Sequence, residues 1–113
     1  MLESILSVED QGQIEILILN RPEVMNTFNM DLLSILMKQI KALRLKRNIR
    51  AVIITGAGSK AFCAGADLAE RATFDENRVK NYVLAIKKLF ISIASLNKPP
   101  IAAINGIALG GGM

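Results

Sequence analysis

The segment Lys60-Ala61-Phe62-Cys63-Ala64-Gly65-Ala66-Asp67-Leu68 gives the strongest indication of the fold. It follows Ala51–Thr55, a short apolar segment with β-branched residues that predicts a buried parallel strand. Its small residues predict a loop whose backbone can come very close to a ligand. Asp67 and Glu70, three positions apart, predict a capped helix start. Because a helix N-terminus offers free N–H groups, we expect the Ala66 N–H to face an anionic oxygen.

A second segment repeats this pattern. Ile101–Asn105 predicts another buried strand, and Gly106–Gly112 predicts another loop of small residues. Consecutive strands separated by helices usually lie side by side and parallel, so both loops should leave the same edge of one sheet. In α/β proteins that edge binds ligands. Two neighbouring loops that each present a backbone N–H are what an oxyanion hole requires.

The remaining segments predict a hairpin and three helices. Alternating apolar residues and a Gln11-Gly12 turn predict the hairpin, and helical spacing of apolar residues predicts two amphipathic helices. An irregular loop, residues 23–28, should follow the hairpin. The two strands of the hairpin are predicted at residues 4–9 and 13–19. The predicted helices run from an Asn29 cap to about Leu45, from Asp67 to about Ala72, and from Asp75 to Lys98-Pro99-Pro100. The apolar face of the last helix is predicted to consist of Val79, Val83, Ile86, Phe90 and Ile93.

Composition excludes several functional classes. The chain has 113 residues, enough for one small domain or part of a larger one, and 51% of them are apolar. It has no histidine, which excludes Ser-His and Cys-His nucleophilic chemistry and argues against a zinc site. A single cysteine, no apolar segment of about 20 residues and no basic leader before Ser4 favour a reducing cytoplasm.

The net charge of +4 is concentrated in one part of the chain. Such a cluster is usually a solvated helix face, but it could also contact a CoA phosphate or RNA. Few aromatic residues are available for base stacking, so the sequence gives no support for sequence-specific RNA binding. The clustered residues are Lys38, Lys41, Arg44, Lys46, Arg47 and Arg50.

Three ordered motifs resemble the enoyl-CoA hydratase/isomerase (crotonase) family. They are Leu19-Asn20-Arg21-Pro22-Glu23, Ala61-Phe62-Cys63-Ala64-Gly65-Ala66-Asp67-Leu68 and Asn105-Gly106-Ile107-Ala108-Leu109-Gly110-Gly111-Gly112. The resemblance covers the whole chain but only the N-terminal half of a typical member. The basic helix and the segment Cys63-Ala64-Gly65-Ala66-Asp67-Leu68 are most similar to hydratases of the methylglutaconyl-CoA, AU-rich-RNA-binding type.

This resemblance implies an α/β fold, a truncated crotonase-like spiral of ββα units. Residues 1–113 would be the N-terminal part of an acyl-CoA-binding domain. The resemblance also implies an acyl-CoA substrate, no separate cofactor because coenzyme A is part of the substrate, and assembly into trimers or dimers of trimers.

The resemblance further implies a set of site residues. Ala66 and Gly111 would supply the two oxyanion-hole N–H groups, and we expect these to lie close together and face one cavity. In family hydratases a catalytic glutamate follows the third glycine of this motif, here Gly112, by two positions, and a second glutamate lies about one ββα unit later. Met113 is the last residue of this sequence, so neither glutamate is present in it. The residues expected to line the acyl-CoA site are Val24, Asn26, Ala64, Ala66, Asp67, Leu68, Gly110 and Gly111.

Other interpretations of the same residues remain open. Asp67 could simply cap a helix, and Cys63 could be a small packed hydrophobic residue rather than a nucleophile. Residues 56–61 match a G-x-G-x-x-A dinucleotide-binding turn, which would indicate an NAD-dependent oxidoreductase. A third possibility is a non-catalytic RNA-binding or assembly module, with salt-dependent RNA affinity and no acyl-CoA binding.

Overall fold

Two sheets and three α-helices form the part of the chain that the structure, a computed structural model, describes: residues 5–113. The expected strand start at Ser4 and the expectation about a leader lie outside these residues. In chain order the elements are β1 (Leu6–Gln11), β2 (Ile14–Leu19), α1 (Met30–Leu45), β3 (Ala51–Gly56), β4 (Ala61–Cys63), α2 (Leu68–Arg71), α3 (Glu76–Ala94), β5 (Pro100–Ala102) and β6 (Ile107–Ala108), with 3₁₀ turns at Pro22–Val24 and Gly110–Gly112.

The larger sheet has the strand order β1-β2-β3-β5. β1 and β2 are antiparallel, which confirms the predicted hairpin; Gly12 adopts a left-handed φ of 77° at its turn. β3 lies between β2 and β5 and is parallel to both, with Ile53 opposite Ile16 on one side and Ile101 on the other. The predicted parallel arrangement, with β3 and β5 as neighbours, is therefore confirmed.

The smaller sheet was not predicted. β4 and β6 are short parallel strands within segments that the sequence indicated as loops. The Ile107 N–H donates to the Lys60 carbonyl at 3.1 Å, and the Leu109 N–H donates to the Cys63 carbonyl at 3.1 Å. Gly106 permits this pairing, because a Cβ there would lie 2.5 Å from the Lys60 oxygen. The two loops are thus joined by backbone hydrogen bonds.

The prediction of a buried strand at Ile101–Asn105 was wrong in two respects. The strand covers only Pro100–Ala102, and its side chains are exposed. Ile101 is 49% exposed and Ile104 is 62% exposed. The reason is position: β5 forms the edge of the sheet, where β3 is its partner among the described strands. Parallel sheets normally bury both faces, so this edge is unusually apolar for an exposed surface.

Helix α1 forms as its sequence predicts. Asn29 caps it, its side-chain oxygen accepting from the Leu32 N–H at 2.8 Å. The apolar face of α1 is buried in the main core, and the opposite face is charged. The buried residues of this face are Leu32, Leu33, Leu36, Ile40 and Leu43.

Part of the basic cluster has structural partners. Lys46 forms an ion pair of 3.0 Å with Glu15, whose side chain is buried. Arg44 donates to the Ser95 hydroxyl at 2.7 Å. Lys98, also buried, donates to the Leu43 and Lys46 carbonyls and so satisfies the C-terminal end of α1. Two of the six clustered residues, Arg44 and Lys46, therefore hold α1 against its neighbours, as does Lys98 from outside the cluster.

Helix α3 begins at the predicted cap, Asp75, but its apolar face differs from the prediction. Val83 is 51% exposed, whereas Tyr82 and Leu89 are the fully buried residues. Residues 86, 90 and 93 pack partly against the core, as expected. None of the helices among residues 5–113 has the length and apolar character needed to cross a bilayer.

The chain order shows a repeated unit. Two strands and a helix occur as β1-β2-α1, then again as β3-β4 followed by α2 and α3, and β5-β6 begin a third copy. In each of the last two units the second strand belongs to the smaller sheet. The repetition brings the segment after β4 beside the segment after β6.

Candidate functional site

The segment after β4 is held by the earlier loop that follows β2. The Ala64 N–H donates to the Met25 carbonyl at 3.1 Å. The Phe28 N–H donates to the Gly65 carbonyl at 2.8 Å, and the Asp67 N–H donates to the Phe28 carbonyl at 3.1 Å. Phe28 and Ala66 thus form a parallel bridge. Backbone bonds from a distant loop therefore fix both peptide units that flank Ala66.

These bonds determine the direction of the Ala66 N–H. In a planar trans peptide the C=O and N–H groups point in opposite directions. Since the Gly65 carbonyl faces Phe28, the Ala66 N–H of the same peptide unit points away from Phe28. It has no acceptor among residues 5–113. Ala66 therefore presents a fixed donor that no other described group uses.

Gly111 lies close to this donor. It is in the 3₁₀ turn Gly110–Gly112, and the first N–H groups of such a turn have no partner within it. Gly65 brings the two segments together: it has a left-handed φ of 93°, and a Cβ there would lie 3.0 Å from the Leu109 oxygen and 3.4 Å from the Gly111 nitrogen. Only glycine fits both requirements.

A cavity of about 360 Å³ lies beside Gly111. Phe28 and Phe90, whose rings pack edge to face at 5.9 Å, form part of its wall together with Gly110 and Gly111. Ala66 packs against the core but is not one of the lining residues. The expected proximity of the two segments is confirmed. That the N–H groups of Ala66 and Gly111 face one cavity stays a prediction.

Asp67 caps α2 and also pairs with Arg21. Its side chain accepts from the Glu70 N–H at 3.1 Å and from the Arg21 guanidinium at 3.0 Å. Partial burial by itself would raise the pKa of Asp67, but the hydrogen bonds from Glu70 and Arg21, together with the Arg21 charge, lower it below its ordinary value. Asp67 is therefore an ionised structural group.

The lowered pKa of Asp67 predicts a pH dependence of stability. A carboxyl group whose pKa is depressed by folding contributes stability above its unfolded-state pKa, about 3.9 for aspartate, and loses it as the pH falls through the folded-state value. We expect urea unfolding between about pH 5 and pH 2 to show a steeper loss of stability in the wild type than in Asp67→Asn. Asparagine still caps a helix but does not titrate. Parallel curves for the two proteins would contradict this assignment.

The predicted capping box is only half formed. Asp67 accepts from the Glu70 N–H, as expected. However, the Glu70 carboxylate does not return to Asp67; it accepts from the Met30 N–H at 3.0 Å and so stabilises the start of α1. The Asp67 N–H is already bound to Phe28 and Tyr82, which explains the difference.

The structure assigns Asn26 a different role from the predicted one. Asn26 has no exposed surface, and its backbone adopts a left-handed φ of 55°. Its oxygen accepts from the Arg21 N–H at 2.8 Å, and its amide donates to the carbonyls of Ala57 at 3.1 Å and Ala61 at 3.0 Å. With every polar atom bound to backbone, the Asn26 side chain holds two loops together and has no group left for a ligand.

The other expected lining residues differ in accessibility. Ala64 is half-buried and bound through its N–H to Met25. Leu68 is 68% exposed at the start of α2, and Val24 is exposed in the 3₁₀ turn that interrupts the predicted irregular loop. Gly110 is exposed, with a left-handed φ of 52°. Their contact with a substrate stays a prediction.

Two residues of this region carried no assignment from sequence. Tyr82, buried in α3, donates from its hydroxyl to the Phe28 carbonyl and accepts from the Asp67 N–H at 3.0 Å. Arg21 was quoted within a motif but given no role; it joins Asp67 to the Thr27 carbonyl, which it contacts at 2.6 Å. The sequence alone could not indicate this role of Tyr82, because its hydrogen-bond partner, Phe28, lies 54 positions away in the chain.

Two alternative interpretations can now be judged. Burial raises the pKa of the Cys63 thiol, with a smaller opposing effect of the Gly65 N–H, so Cys63 is a packed hydrophobic residue. The turn at residues 56–61 leads from β3 into β4. A dinucleotide-binding turn requires a helix to begin there. The Rossmann interpretation was therefore wrong.

Comparison with known proteins identifies the family and the fold. A family model described as enoyl-CoA hydratase/isomerase matches residues 9–113. The chain belongs to the enoyl-CoA hydratase/isomerase family. A crystal structure of an enoyl-CoA hydratase from Bacillus anthracis superposes with a TM-score of 0.93 and 43% identity over 96% of this chain, which confirms the crotonase-like fold.

Relatives within the enoyl-CoA hydratase/isomerase family include YngF of Bacillus subtilis, named as an enoyl-CoA hydratase/isomerase, with 42% identity over 100% of this chain. The mitochondrial methylglutaconyl-CoA hydratase of Mus musculus is 41% identical over 96% of it. The chain spans 44% and 34% of the length of these two proteins, and 42% of the Bacillus anthracis chain. The match is thus nearly complete for this chain and partial for its relatives.

Proposed function

We propose that this chain binds an acyl-CoA thioester and stabilises an enolate-like oxyanion with the N–H groups of Ala66 and Gly111. The observation that carries the proposal is the Ala66 peptide, whose N–H is turned away from Phe28 and has no acceptor among the described residues. Gly65 places the Gly111 backbone beside it. Membership of the family supports action on an acyl-CoA.

The chemistry explains why backbone donors are needed. Adding water to a 2-enoyl thioester, or moving its double bond, places negative charge on the thioester oxygen. Preorganised N–H groups stabilise this charge because they need no reorientation, and removing one donor typically costs about 3 kcal/mol of the barrier. The small side chains at Ala64 and Ala66 would let the thioester approach the amides.

The proposal extends to the surroundings of the site. Coenzyme A enters as part of the substrate, so no separate cofactor is required. Assembly into trimers or dimers of trimers is proposed from family resemblance, and a cytoplasmic location is proposed from the single cysteine. The exposed apolar edge at Ile101 and Ile104 supports a covered position in an assembled state.

The first test compares two substitutions in the loop. Ala66→Val should weaken binding of crotonyl-CoA about tenfold or more, because the branched side chain holds the thioester away from the amide, a loss of about 1.4 kcal/mol. Lys60→Ala, at an exposed position in the turn before β4, should change it less than about twofold. Calorimetric titration of the 113-residue chain measures both, and urea unfolding verifies that each variant is folded.

The outcomes separate the competing functions. A larger effect of Lys60→Ala than of Ala66→Val would mean that the thioester is misplaced. Binding of NAD without binding of crotonyl-CoA would contradict the proposal and favour the interpretation as an NAD-dependent oxidoreductase. Salt-dependent RNA affinity without acyl-CoA binding would indicate a nucleic-acid function.

A further inference from the structure

We propose that Tyr82 is a positioning residue that orients the Ala66 N–H for the thioester oxygen. The inference rests on the proposed function for its chemistry. Its geometric part concerns the free chain and can be tested without a ligand. Tyr82 would not touch the substrate; it acts through the peptide units on either side of Ala66.

The hydroxyl of Tyr82 joins two segments that meet at Ala66. It donates to the Phe28 carbonyl and accepts from the Asp67 N–H at 3.0 Å. The Asp67 N–H also donates to the Phe28 carbonyl at 3.1 Å. These three groups form a closed set of hydrogen bonds. Because Tyr82 belongs to a 19-residue helix, this set is anchored to a rigid element.

This arrangement restrains Ala66 from both sides. The preceding peptide unit, which carries the Ala66 N–H, is held because its Gly65 carbonyl accepts from the Phe28 N–H at 2.8 Å. The following unit is held at the Asp67 N–H by Phe28 and Tyr82. Tyr82 is the only one of these partners that lies on a helix, so removing its hydroxyl frees Phe28 and Asp67 to move together relative to α3.

The hydroxyl can be separated from the ring. Tyr82 is 1% exposed, and its ring packs edge to face against Phe74 at 5.6 Å. Phenylalanine would keep this packing, so packing alone does not require the oxygen. Burial, together with the nearby Asp67 and Glu70 carboxylates, raises the pKa of Tyr82 despite the opposing Asp67 N–H. The hydroxyl therefore keeps its proton and remains a donor to Phe28.

Orientation matters because an oxyanion hole acts through preorganisation. Donors help only when they already point to the position that the charged oxygen will occupy. A small rotation of the Ala66 peptide would weaken its contact with a thioester oxygen and leave contacts with the rest of coenzyme A unchanged. The ratio of affinities for crotonyl-CoA and for free coenzyme A, which has no thioester carbonyl, therefore reports on this orientation.

The experiment uses Tyr82→Phe and the matched control Phe74→Leu in the 113-residue chain. The control disturbs the same ring pair but keeps the hydroxyl. Residual dipolar couplings of ¹⁵N-labelled protein measure the direction of the Ala66 N–H without a ligand. Calorimetry gives the affinities for crotonyl-CoA and for free coenzyme A. Thermal unfolding shows how much stability each variant loses.

We expect Tyr82→Phe to change the Ala66 coupling and to lower the preference for crotonyl-CoA over coenzyme A about tenfold, the effect of one well-placed hydrogen bond. Phe74→Leu should lose stability but keep both the coupling and the preference. An unchanged Ala66 coupling in Tyr82→Phe overturns the proposal, as does an equal loss of preference in both variants. If the wild type binds no crotonyl-CoA, the proposed function fails, and the coupling alone still decides whether Tyr82 orients Ala66.

Discussion

Gly56→Ala should destabilise the chain by about 3 kcal/mol or more, the upper range for overpacking a buried site. Gly56 ends β3 and is buried. A Cβ there would lie 2.5 Å from the Phe62 oxygen and 2.7 Å from both the Ala61 oxygen and the Asn26 side-chain nitrogen. Two of these atoms are backbone, and the third is held by its own hydrogen bonds, so none can give way cheaply.

The same substitution should also disturb the candidate site. To make room, Asn26 must leave the carbonyls of Ala57 and Ala61, which it joins to the loop that carries Phe28. Phe28 in turn holds the peptide units around Ala66. We therefore expect the amide resonances of both loops to shift in Gly56→Ala.

A matched control for Gly56→Ala is Gly12→Asn in the hairpin turn. Gly12 has a left-handed φ of 77°, but a Cβ there would meet nothing within 4 Å. Asparagine tolerates this conformation better than most residues. Urea unfolding should show a loss of less than about 1 kcal/mol for Gly12→Asn. Equal losses in the two variants would mean that crowding at Gly56 is not the cause.

Local signals in the sequence were sufficient for much of the fold. The caps at Asn29, Asp67 and Asp75 are formed by side chains that bond to N–H groups three residues later, so they depend on few neighbours. The Gly12 turn and the apolar segment of β3 are likewise local features. Their prediction needed no knowledge of the tertiary structure.

Other features depend on contacts between distant segments. The β4–β6 pairing uses backbone groups of residues more than 40 positions apart, and strands this short show no alternating pattern that would reveal them. The inward direction of Asn26 follows from a left-handed backbone and from carbonyls over 30 positions away. Hydrogen bonds between distant segments determine these features, and such bonds cannot be inferred from local patterns in a single sequence.

The candidate site shows the same division. Ala66 and Gly111 were identified through motif resemblance, and the structure brings their segments together through Gly65. The groups that hold Ala66 in place, Phe28 and Tyr82, were not assigned this role from sequence. Each contributes backbone or hydroxyl contacts that depend on the packing of α3 against both loops.

The 113-residue chain should not hydrate crotonyl-CoA at a rate comparable to that of an intact family hydratase. The reaction requires a proton donor and a water-activating base, and the carboxylates near the candidate oxyanion hole are already engaged. Asp67 is bound by Arg21 and the Glu70 N–H, which lower its pKa and make it a weak base. Glu70 is bound to the Met30 N–H at the start of α1.

The expected deficit is large. General acid–base catalysis typically contributes about 10²–10⁴-fold, whereas an oxyanion hole without it leaves only a residual rate enhancement. The measurement is the loss of enone absorbance of crotonyl-CoA, with an intact family hydratase as the reference. Light scattering must accompany it, because Ile104 and Leu109 are 62% and 54% exposed and favour self-association, which could hide activity.

Turnover within a few-fold of the reference would show that the proton chemistry lies within these residues. Asp67→Asn and Glu70→Gln would then identify which carboxylate performs it, and the structural assignments of both groups would have to be revised.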